Sequence, residues 1–238
     1  TVTGLIMLND INTGLPKAVM DCTWITAMRT AACTALSAKY LARADSRSVG
    51  IIACGLQGRT NLRALCDDFK VSQVNAFDIF EDNARRFAEE MSEELNLEVC
   101  AVKKIEEAVR GMDIVVASAP VEKEPDPPLT AGVLSSGSFM CLLDFNSTLQ
   151  PNGLREVDKF VTDDQRQVSF FKRIGYLRDV PEPDGDLGKI AAGRQVGRTD
   201  ADQRIVAMNM GIGLLDVATA TLIYDRALEK GIGVDLPH

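Results

Sequence analysis

Histidine is nearly absent from this chain: the single one, His238, is the last of its 238 residues. Histidine is the usual proton carrier near neutral pH and the commonest ligand of transition metals. A chain terminus is a poor place for either task, because terminal residues are held by few contacts. The sequence therefore disfavours histidine-based triads and zinc sites with histidine ligands. We expect no metal site, and acid–base chemistry falls to Asp, Glu, Lys, Tyr or Cys.

An excess of basic charge and long apolar runs are also missing. Lys and Arg number 26 against 34 Asp and Glu, which gives a formal net charge of −8. Nucleic acids and anionic membranes both bind concentrated basic surfaces, so neither is expected as a partner. No apolar run approaches the roughly 18 residues of a spanning helix, and the chain does not open like a secretory leader. We expect a soluble, cytoplasmic protein.

Paired cysteine motifs are absent as well. The six cysteines are scattered along the chain without a C-x-x-C pair, and most stand in apolar surroundings such as Ile51–Cys54. Buried, reduced thiols are therefore favoured over disulfides or a metal centre.

What the chain does have is a hydrophobic content of 46%, enough for a substantial core. From Val49 to Asp144, short apolar strands alternate with helical periods. This alternation is typical of parallel β-α-β units, and right-handed crossovers then give an α/β, Rossmann-like, doubly wound parallel sheet. The expected strands are 49–52, 73–79, 98–102, 113–118 and 138–144, and the expected helices are 83–96 and 105–110.

The two chain ends predict a smaller second lobe. An opening strand at Gly4–Leu8 leads to an Ala-rich helix over Trp24–Ala42, and a closing apolar helix is expected over Ile205–Lys230. These helices are too apolar to stand alone, so we expect them to pack together. The expected organisation is residues 1–44 as the rest of a substrate and dimerisation lobe with a connecting helix, 45–202 as the dinucleotide-binding domain, and 203–238 as a helix packing back on the first lobe. Because Thr1 opens in mid-pattern, we also expect the natural protein to continue upstream.

A glycine-rich turn follows the first strand of the alternating region. Gly55 and Gly58 occupy the second and third positions of a G-x-G-x-x-G pattern whose first position is Ala53. In such turns the second glycine allows a pyrophosphate to approach, the third lets the helix lie close to the strand, and the helix N-terminus attracts phosphate. Ala53 is tolerable if its φ is negative. The alternative is a tight turn with no ligand.

Three later strands end in polar residues: Asp78, Ser118 and Asp144. Since the carboxyl ends of parallel strands share one edge of a sheet, these side chains are expected to face a common ligand. A carboxylate at Asp78 suits ribose hydroxyls and repels a 2′-phosphate, which favours NAD over NADP. The alternative for Asp144 is a cap of the segment 146–148.

Arg29 is a single cation at an otherwise apolar helix end, within Ile25–Ala32. Its guanidinium is suited to grip a carboxylate or phosphate. The alternative is an arginine whose stem packs while its head reaches solvent.

Four separated segments together resemble one known family. The segments are Ile25–Ala32, the Gly55–Gly58 turn, Gly193–Thr199 and Gly211–Asp216, and the likeness runs from about Gly4 to Gly233. They are similar to the ornithine cyclodeaminase/mu-crystallin family. The resemblance implies a Rossmann lobe beside a substrate and dimerisation lobe, a homodimer, and a small amino- or imino-acid substrate.

The resemblance also implies roles for individual residues. Asp144 would be the catalytic aspartate, which the mu-crystallin branch lacks. Arg29 would bind the substrate carboxylate near the nicotinamide, and Met210 would contact the substrate. The cofactor would be NAD, bound by Arg29, Thr30, Gly55, Leu56, Gln57, Gly58, Asp78, Ser118, Leu143 and Asn209.

Departures from the family pattern narrow the expected activity. Where the cyclodeaminases continue with Pro-Gly-Lys, this chain has Phe145–Thr148, so an assisting lysine is missing and ornithine is disfavoured. Family members also draw further Arg and Lys residues from an upstream portion. The resemblance implies an NAD-dependent oxidoreductase acting on the C–N bond of an L-α-amino acid or its imine: an amino-acid dehydrogenase, imine reductase or cyclodeaminase. The alternatives are a non-catalytic NAD(P)H-dependent ligand-binding protein of mu-crystallin type, and a structural half that needs another chain.

Overall fold

A computed structural model describes residues 2–235 and divides the chain into two compact units. The first unit comprises residues 1–30 and 211–238, and the second comprises residues 31–210. His238 lies outside the described residues. In the part that is described, no helix combines the length and apolar character needed to cross a bilayer.

The helices and strands follow one another in an alternating order over most of the chain. They are β1 Leu5–Asn9, β2 Pro16–Asp21, α1 Thr23–Leu41, β3 Ser48–Ile52, α2 Leu56–Asp68, β4 Gln73–Phe77, α3 Glu81–Leu95, β5 Glu98–Ala101, a 3-10 helix Ile105–Ala108, β6 Ile114–Ala117, β7 Phe139–Leu142, α4 Pro151–Arg155, β8 Lys159–Thr162, α5 Gln165–Arg173, β9 Gly185–Asp186, α6 Leu187–Ala191, β10 Ile205–Met208 and α7 Gly213–Glu229.

The second unit is built on one sheet with the strand order β5-β4-β3-β6-β7-β10-β8-β9. Every neighbouring pair of strands in this order is parallel. The central strands β6, β7 and β10 are buried along their whole length, as expected of strands covered on both faces. The predicted Rossmann-like parallel sheet is confirmed. The chain reverses direction across the sheet between β3 and β6, which is where ligands bind in folds of this type.

The first unit is a two-stranded antiparallel sheet covered by helical segments. β1 pairs with β2 from Leu5 opposite Asp21 to Leu8 opposite Ala18. Leu8 packs with Ile25 of α1 and Ala220 of α7 in a small buried cluster. Segments from the two ends of the chain therefore belong to one compact unit.

The closing segment differs from the sequence prediction. The helix expected over Ile205–Lys230 is divided, because Ile205–Met208 forms β10 and α7 begins only at Gly213. β10 lies between β7 and β8 and is fully buried there. A four-residue apolar strand cannot be told from the start of an apolar helix by periodicity alone.

The unit boundaries also differ from the expected limits at 44/45 and 202/203. The first change of unit falls between Thr30 and Ala31, inside α1, and the second falls between Met210 and Gly211. The second unit therefore includes the last eleven residues of α1 and all of β10.

Candidate functional site

The turn between β3 and α2 is shaped by two glycines with different roles. A Cβ atom at Gly58 would lie 2.5 Å from the carbonyl oxygen of Ala53 and 3.1 Å from the Ile51 side chain. Gly58 is therefore required by the close approach of helix to strand. A Cβ at Gly55, by contrast, would meet nothing within 4 Å, and the φ of Gly55 is an ordinary −80°. Neither the backbone conformation nor a contact with the described residues requires glycine at position 55. The open space beside Gly55 therefore suits a ligand.

The N-terminus of α2 has the chemistry of an anion site. Gly55 is the N-cap, and within the described residues no side chain caps it. The first N–H groups of a helix have no intrahelical acceptor and carry partial positive charge. Leu56 is exposed and Gln57 half-buried in this first turn. Phosphate oxygens fit such a terminus, so these residues suit the pyrophosphate of a dinucleotide.

Ala53 does not meet the condition under which alanine is readily tolerated in this turn, because its φ is +72°, in the left-handed region. The left-handed conformation costs a residue with a Cβ about 1–2 kcal/mol. The neighbouring contacts hold it in place: the Ala53 N–H donates to the carbonyl of Phe77 at 2.9 Å.

Asp78, directly after β4, closes the same turn from the neighbouring strand. Its Oδ2 accepts a hydrogen bond from the Cys54 N–H at 2.9 Å, and its Oδ1 accepts one from the Phe80 N–H at 3.0 Å. Asn83 Nδ2 also donates to Oδ1, at 3.5 Å. Asp78 is half-buried, and its Oδ2 retains a further lone pair for a ribose hydroxyl. Its carboxylate therefore both shapes the turn and presents negative charge at the sheet edge.

Ser118 and Asp144 continue this edge across β6 and β7. The Ser118 hydroxyl lies 3.4 Å from the carbonyl oxygens of Ile52 and Ala53, to which it donates. The next residue, Ala119, donates its N–H to Oδ2 of Asp144 at 3.3 Å. Hydrogen bonds therefore connect this edge of the sheet to the glycine turn.

The Asp144 carboxyl is buried and only partly satisfied. Oδ2 also accepts a hydrogen bond from the Thr148 hydroxyl at 2.5 Å, while Oδ1 has no hydrogen-bond partner among residues 2–235. Burial raises the pKa of Asp144 to about 7, against the hydrogen bonds from Thr148, from Ala119 and from its own backbone N–H, which lower it. Among the described hydrogen bonds, the carboxylate binds the segment 146–148 through the Thr148 hydroxyl and not through a backbone N–H. A buried carboxyl that titrates near neutral pH is suited to proton transfer.

Asn209 follows β10, the strand beside β7, and is buried. Its Nδ2 donates to the Ser37 hydroxyl at 2.9 Å and to the Cys141 sulfur at 3.4 Å. Its Oδ1 has no partner in the described part of the chain. An amide oxygen in this position can accept a hydrogen bond from a ligand. Leu143, half-buried, donates its N–H to the carbonyl of Ala117 at 2.8 Å.

Asp163, which is not among the predicted site residues, lies at the same edge directly after β8. Asp163 is buried, and its Oδ1 accepts the N–H of Met210 at 3.0 Å. The missed signal is the one that identified Asp144, a polar residue directly after a short apolar strand. Thr148 was likewise not predicted as a partner of Asp144, because no sequence pattern predicts a hydrogen bond from a threonine hydroxyl to a nearby carboxylate.

Arg29 and Thr30 belong to the first unit. Arg29 is mostly buried, and its Nε donates to Oδ1 of Asp216 on α7 at 2.9 Å. Gly211, with φ +84°, lies against the guanidinium, since a Cβ there would be 2.8 Å from Nη1. The Arg29 guanidinium thus contacts Asp216 and the Gly211 backbone and does not extend into solvent, as the alternative would require. Thr30 is buried on the same helix.

The cysteines show no sign of reactive or ligand chemistry. Within the described residues none is in a disulfide, and no group of three or more His, Cys, Asp or Glu side chains could hold a metal ion. Burial raises the pKa of Cys54 to about 12 and that of Cys66 to about 11. Cys33, Cys54 and Cys141 are buried as predicted, whereas Cys100 is exposed.

Comparison with known proteins gives a consistent result over nearly the whole chain. The model of the ornithine cyclodeaminase/mu-crystallin family matches residues 1–231. An alanine dehydrogenase from Archaeoglobus fulgidus is 31% identical over 245 residues, covering 98% of this chain and 73% of that protein.

Two solved structures have the same fold and are at least 30% identical. A Δ(1)-pyrroline-2-carboxylate reductase from Thermococcus litoralis, in complex with NADH and L-proline, superimposes with a TM-score of 0.88 and 32% identity over 98% of this chain and 74% of that one. An archaeal alanine dehydrogenase dimer with bound NAD gives a TM-score of 0.84 and 30% identity over 99% of this chain and 74% of that one.

Proposed function

The chain belongs to the ornithine cyclodeaminase/mu-crystallin family, and we propose that it is an NAD-dependent oxidoreductase acting on the C–N bond of an L-α-amino acid or its imine. The observation that carries this proposal is Asp144, a buried carboxyl with one unpartnered oxygen and a pKa raised to about 7 by burial. Hydrogen bonds through Ala119 and Ser118 connect it to a glycine turn whose open space suits a dinucleotide. Relatives named as a dehydrogenase and a reductase support the same chemistry.

The residues of the cofactor site are assigned by their chemistry. The turn from Gly55 to Gly58 would hold the pyrophosphate, Asp78 the adenosine ribose, and Ser118, Leu143 and Asn209 the nicotinamide side, with Arg29 and Thr30 as further cofactor contacts. When bound, NAD supplies a hydride acceptor at C4 of the nicotinamide, and NADH a hydride donor.

The chain's own groups would bind the substrate and move its proton. The family resemblance assigns binding of the substrate carboxylate to Arg29, whose guanidinium provides paired donors, and a substrate contact to Met210. In the oxidative direction, ionised Asp144 accepts a proton at Oδ1 from the substrate nitrogen or from attacking water. In the reductive direction the protonated carboxyl returns that proton to nitrogen.

A substrate screen tests the proposal. NADH and NADPH are each offered with pyruvate plus ammonia and with cyclic imino acids such as Δ(1)-pyrroline-2-carboxylate, and NAD is offered with L-amino acids. We expect NADH oxidation with at least one imine and NAD reduction with the corresponding amino acid. NADH binding without turnover on any substrate would contradict the proposal and favour a non-catalytic ligand-binding protein, which neither Asp144 nor the named relatives support. The screen also separates dehydrogenase, reductase and cyclodeaminase activities by their products.

Asp78 predicts the cofactor preference. We expect Asp78→Asn to reduce the preference for NADH over NADPH by about tenfold, because the 2′-phosphate is no longer repelled and the ribose contact weakens. Fluorescence titration with both cofactors measures the change. Asp82→Asn is the matched control, since Asp82 is an exposed acid four residues further along and leaves both affinities unchanged. Equal cofactor preference in the wild-type protein would contradict the assignment of Asp78.

The first unit presents apolar surface that a second copy would cover. Leu5, Met7 and Val19 are exposed on the outer face of the β1–β2 sheet, and Leu214 and Val217 are exposed on α7. Surfaces of this kind mark association sites, and the archaeal alanine dehydrogenase relative is a dimer. We infer a homodimer formed through this unit.

Sedimentation equilibrium tests the association. We expect a species of about twice the 25.8 kDa chain mass, and we expect the Met7→Glu, Leu214→Glu double variant to be monomeric. The control is Val196→Glu, which introduces the same charge at an exposed apolar residue of the second unit. A monomeric wild-type chain at micromolar concentration would overturn the inference.

A further inference from the structure

A tight turn connects β7 to the residue that donates to the catalytic carboxyl. The N–H of Ser147 donates to the backbone carbonyl of Asp144 at 3.0 Å, which closes the turn. One residue later, the Thr148 hydroxyl reaches Oδ2 of Asp144 at 2.5 Å. Both side chains are buried, Asp144 at 0% and Thr148 at 2% exposure. The hydrogen bond is therefore shielded from competing water.

Phe145 gives this turn its shape. Its φ is +60°, in the left-handed region, where a bulky residue is strained. Such a conformation persists only where surrounding contacts impose it. The Phe145 ring packs edge-on against Phe171, with centroids 4.8 Å apart, and against Tyr176 at 6.4 Å. The aromatic contacts therefore hold the turn that brings Thr148 back over Asp144.

The result is a carboxyl with two unequal oxygens. Oδ2 receives the Thr148 hydroxyl and the Ala119 N–H, which fix the rotation of the group. Oδ1 is buried without a partner in the described residues. A hydrogen bond to a buried oxygen stabilises the ionised form, whereas an oxygen without a donor is the one left for an exchangeable proton.

We propose that Thr148 is a positioning residue, whose hydroxyl fixes the Asp144 carboxyl so that Oδ1 alone exchanges a proton with the substrate. The inference rests on the proposed function in that it takes Asp144 as the proton-transfer group. Phe145 supports it by holding the left-handed turn. Thr148 itself transfers no proton, since its hydroxyl is committed to Oδ2.

Among the described residues, few groups face the Asp144 carboxyl, so a measured change in its pKa can be assigned to one of them. Thr148 and Ala119 contact the carboxyl directly. On β7, the Cys141 thiol has a pKa raised mainly by burial, then by Cys33, Asp163 and Asp144, against a hydrogen bond with Thr34 that lowers it, so the thiol stays protonated over the neutral range. Asp163, after β8, is the nearby second carboxyl, and it accepts the Met210 N–H.

Thr148→Val, which keeps the shape and removes the donor, is the decisive variant, and Thr148→Ser restores the donor. ¹³C NMR of aspartate carboxyls follows the titration of Asp144 in the intact chain, with Asp144→Asn identifying its signal. We expect the valine variant to raise the pKa of Asp144 by about one unit, and the serine variant to stay within about 0.3 unit of wild type. In turnover, the acid limb of the kcat profile shifts by the same amount, kcat below neutral pH falls about tenfold, and KM changes less than threefold.

The outcomes separate this inference from the proposed function. An unshifted Asp144 titration in Thr148→Val, beside an inactive Asp144→Asn, overturns the inference and leaves the proposed function standing. Full turnover by Asp144→Asn overturns the proposed function and, with it, the catalytic part of the inference. If valine prevents folding, Thr148→Ala provides the same titration with a smaller side chain. A shift in alanine that serine reverses supports the inference.

Discussion

Replacing Asp144 with Asn is expected to lower kcat by about 1,000-fold or more while changing NADH affinity less than about threefold. A positioned acid–base group contributes roughly 10²–10⁴ in rate, and asparagine can neither accept nor release the proton. NADH affinity is retained because the glycine turn and Asp78 are assigned to the other parts of the cofactor. Steady-state kinetics and fluorescence titration measure the two quantities. The exposed Asp82→Asn variant controls for the change in charge.

The same substitution is expected to stabilise the protein at pH 8. Since burial raises the pKa of Asp144 from 3.8 to about 7, the folded state binds its proton more tightly than the unfolded state. The free energy of unfolding therefore falls as pH rises from about 4 to about 7, by up to about 4 kcal/mol. Asparagine carries no such penalty, but its amide N–H₂ in place of Oδ1 costs roughly 1–3 kcal/mol.

We therefore expect Asp144→Asn to raise the free energy of unfolding at pH 8 by about 1–3 kcal/mol and to give no gain at pH 4. Urea unfolding at the two pH values measures the difference. If the substitution changed the free energy of unfolding equally at both pH values, that result would contradict a raised pKa for the buried Asp144 carboxyl. Normal turnover by the variant would contradict its role in proton transfer.

The second large effect is expected from alanine substitutions at the two glycines of the β3–α2 turn. One substitution should weaken cofactor binding and the other should destabilise the fold. Gly55→Ala is expected to weaken NADH binding about 100-fold, roughly 2.7 kcal/mol, with thermal stability unchanged. The added Cβ meets no protein atom within 4 Å, so only a ligand beside it is obstructed. Gly58→Ala is expected to destabilise the fold by about 2–4 kcal/mol, because its Cβ would lie 2.5 Å from the Ala53 carbonyl.

Isothermal titration with NADH and thermal unfolding are carried out on both variants and on Gly213→Ala. Gly213 is the control because a Cβ there also meets nothing within 4 Å. It begins α7 and is not part of the β3–α2 turn, so its substitution should leave NADH affinity unchanged. Unchanged NADH affinity in Gly55→Ala would remove the pyrophosphate assignment. Wild-type stability of Gly58→Ala would show that the helix can move away from the strand.

The fold was largely predictable because its signals are local. Apolar strands alternate with helices through Asp144, and the spacing from Gly55 to Asp78 placed two neighbouring strand ends correctly. The signals failed where local sequence is ambiguous. β10 is an apolar stretch that joins an apolar helix, and only its position between β7 and β8 makes it a strand. The four-residue β8 was missed as well.

The positions of the candidate site residues in the fold could be predicted from the sequence, but their side-chain contacts could not. Asp78, Ser118 and Asp144 follow strands, so their common edge follows from topology. The hydrogen bond from Thr148, the burial of Oδ1 and the left-handed φ of Ala53 depend on how separate segments pack. Such features follow from tertiary structure, and no pattern of residue types in the sequence specifies them.

The burial of Asp144 has a consequence for the two directions of the proposed reaction. Because burial raises its pKa to about 7, both the ionised and the protonated carboxyl are accessible near neutral pH. The ionised form would take up a proton in the oxidative direction, and the protonated form would release one in the reductive direction. One carboxyl could therefore serve both directions, and net flux would follow the supply of ammonium and the ratio of oxidised to reduced coenzyme.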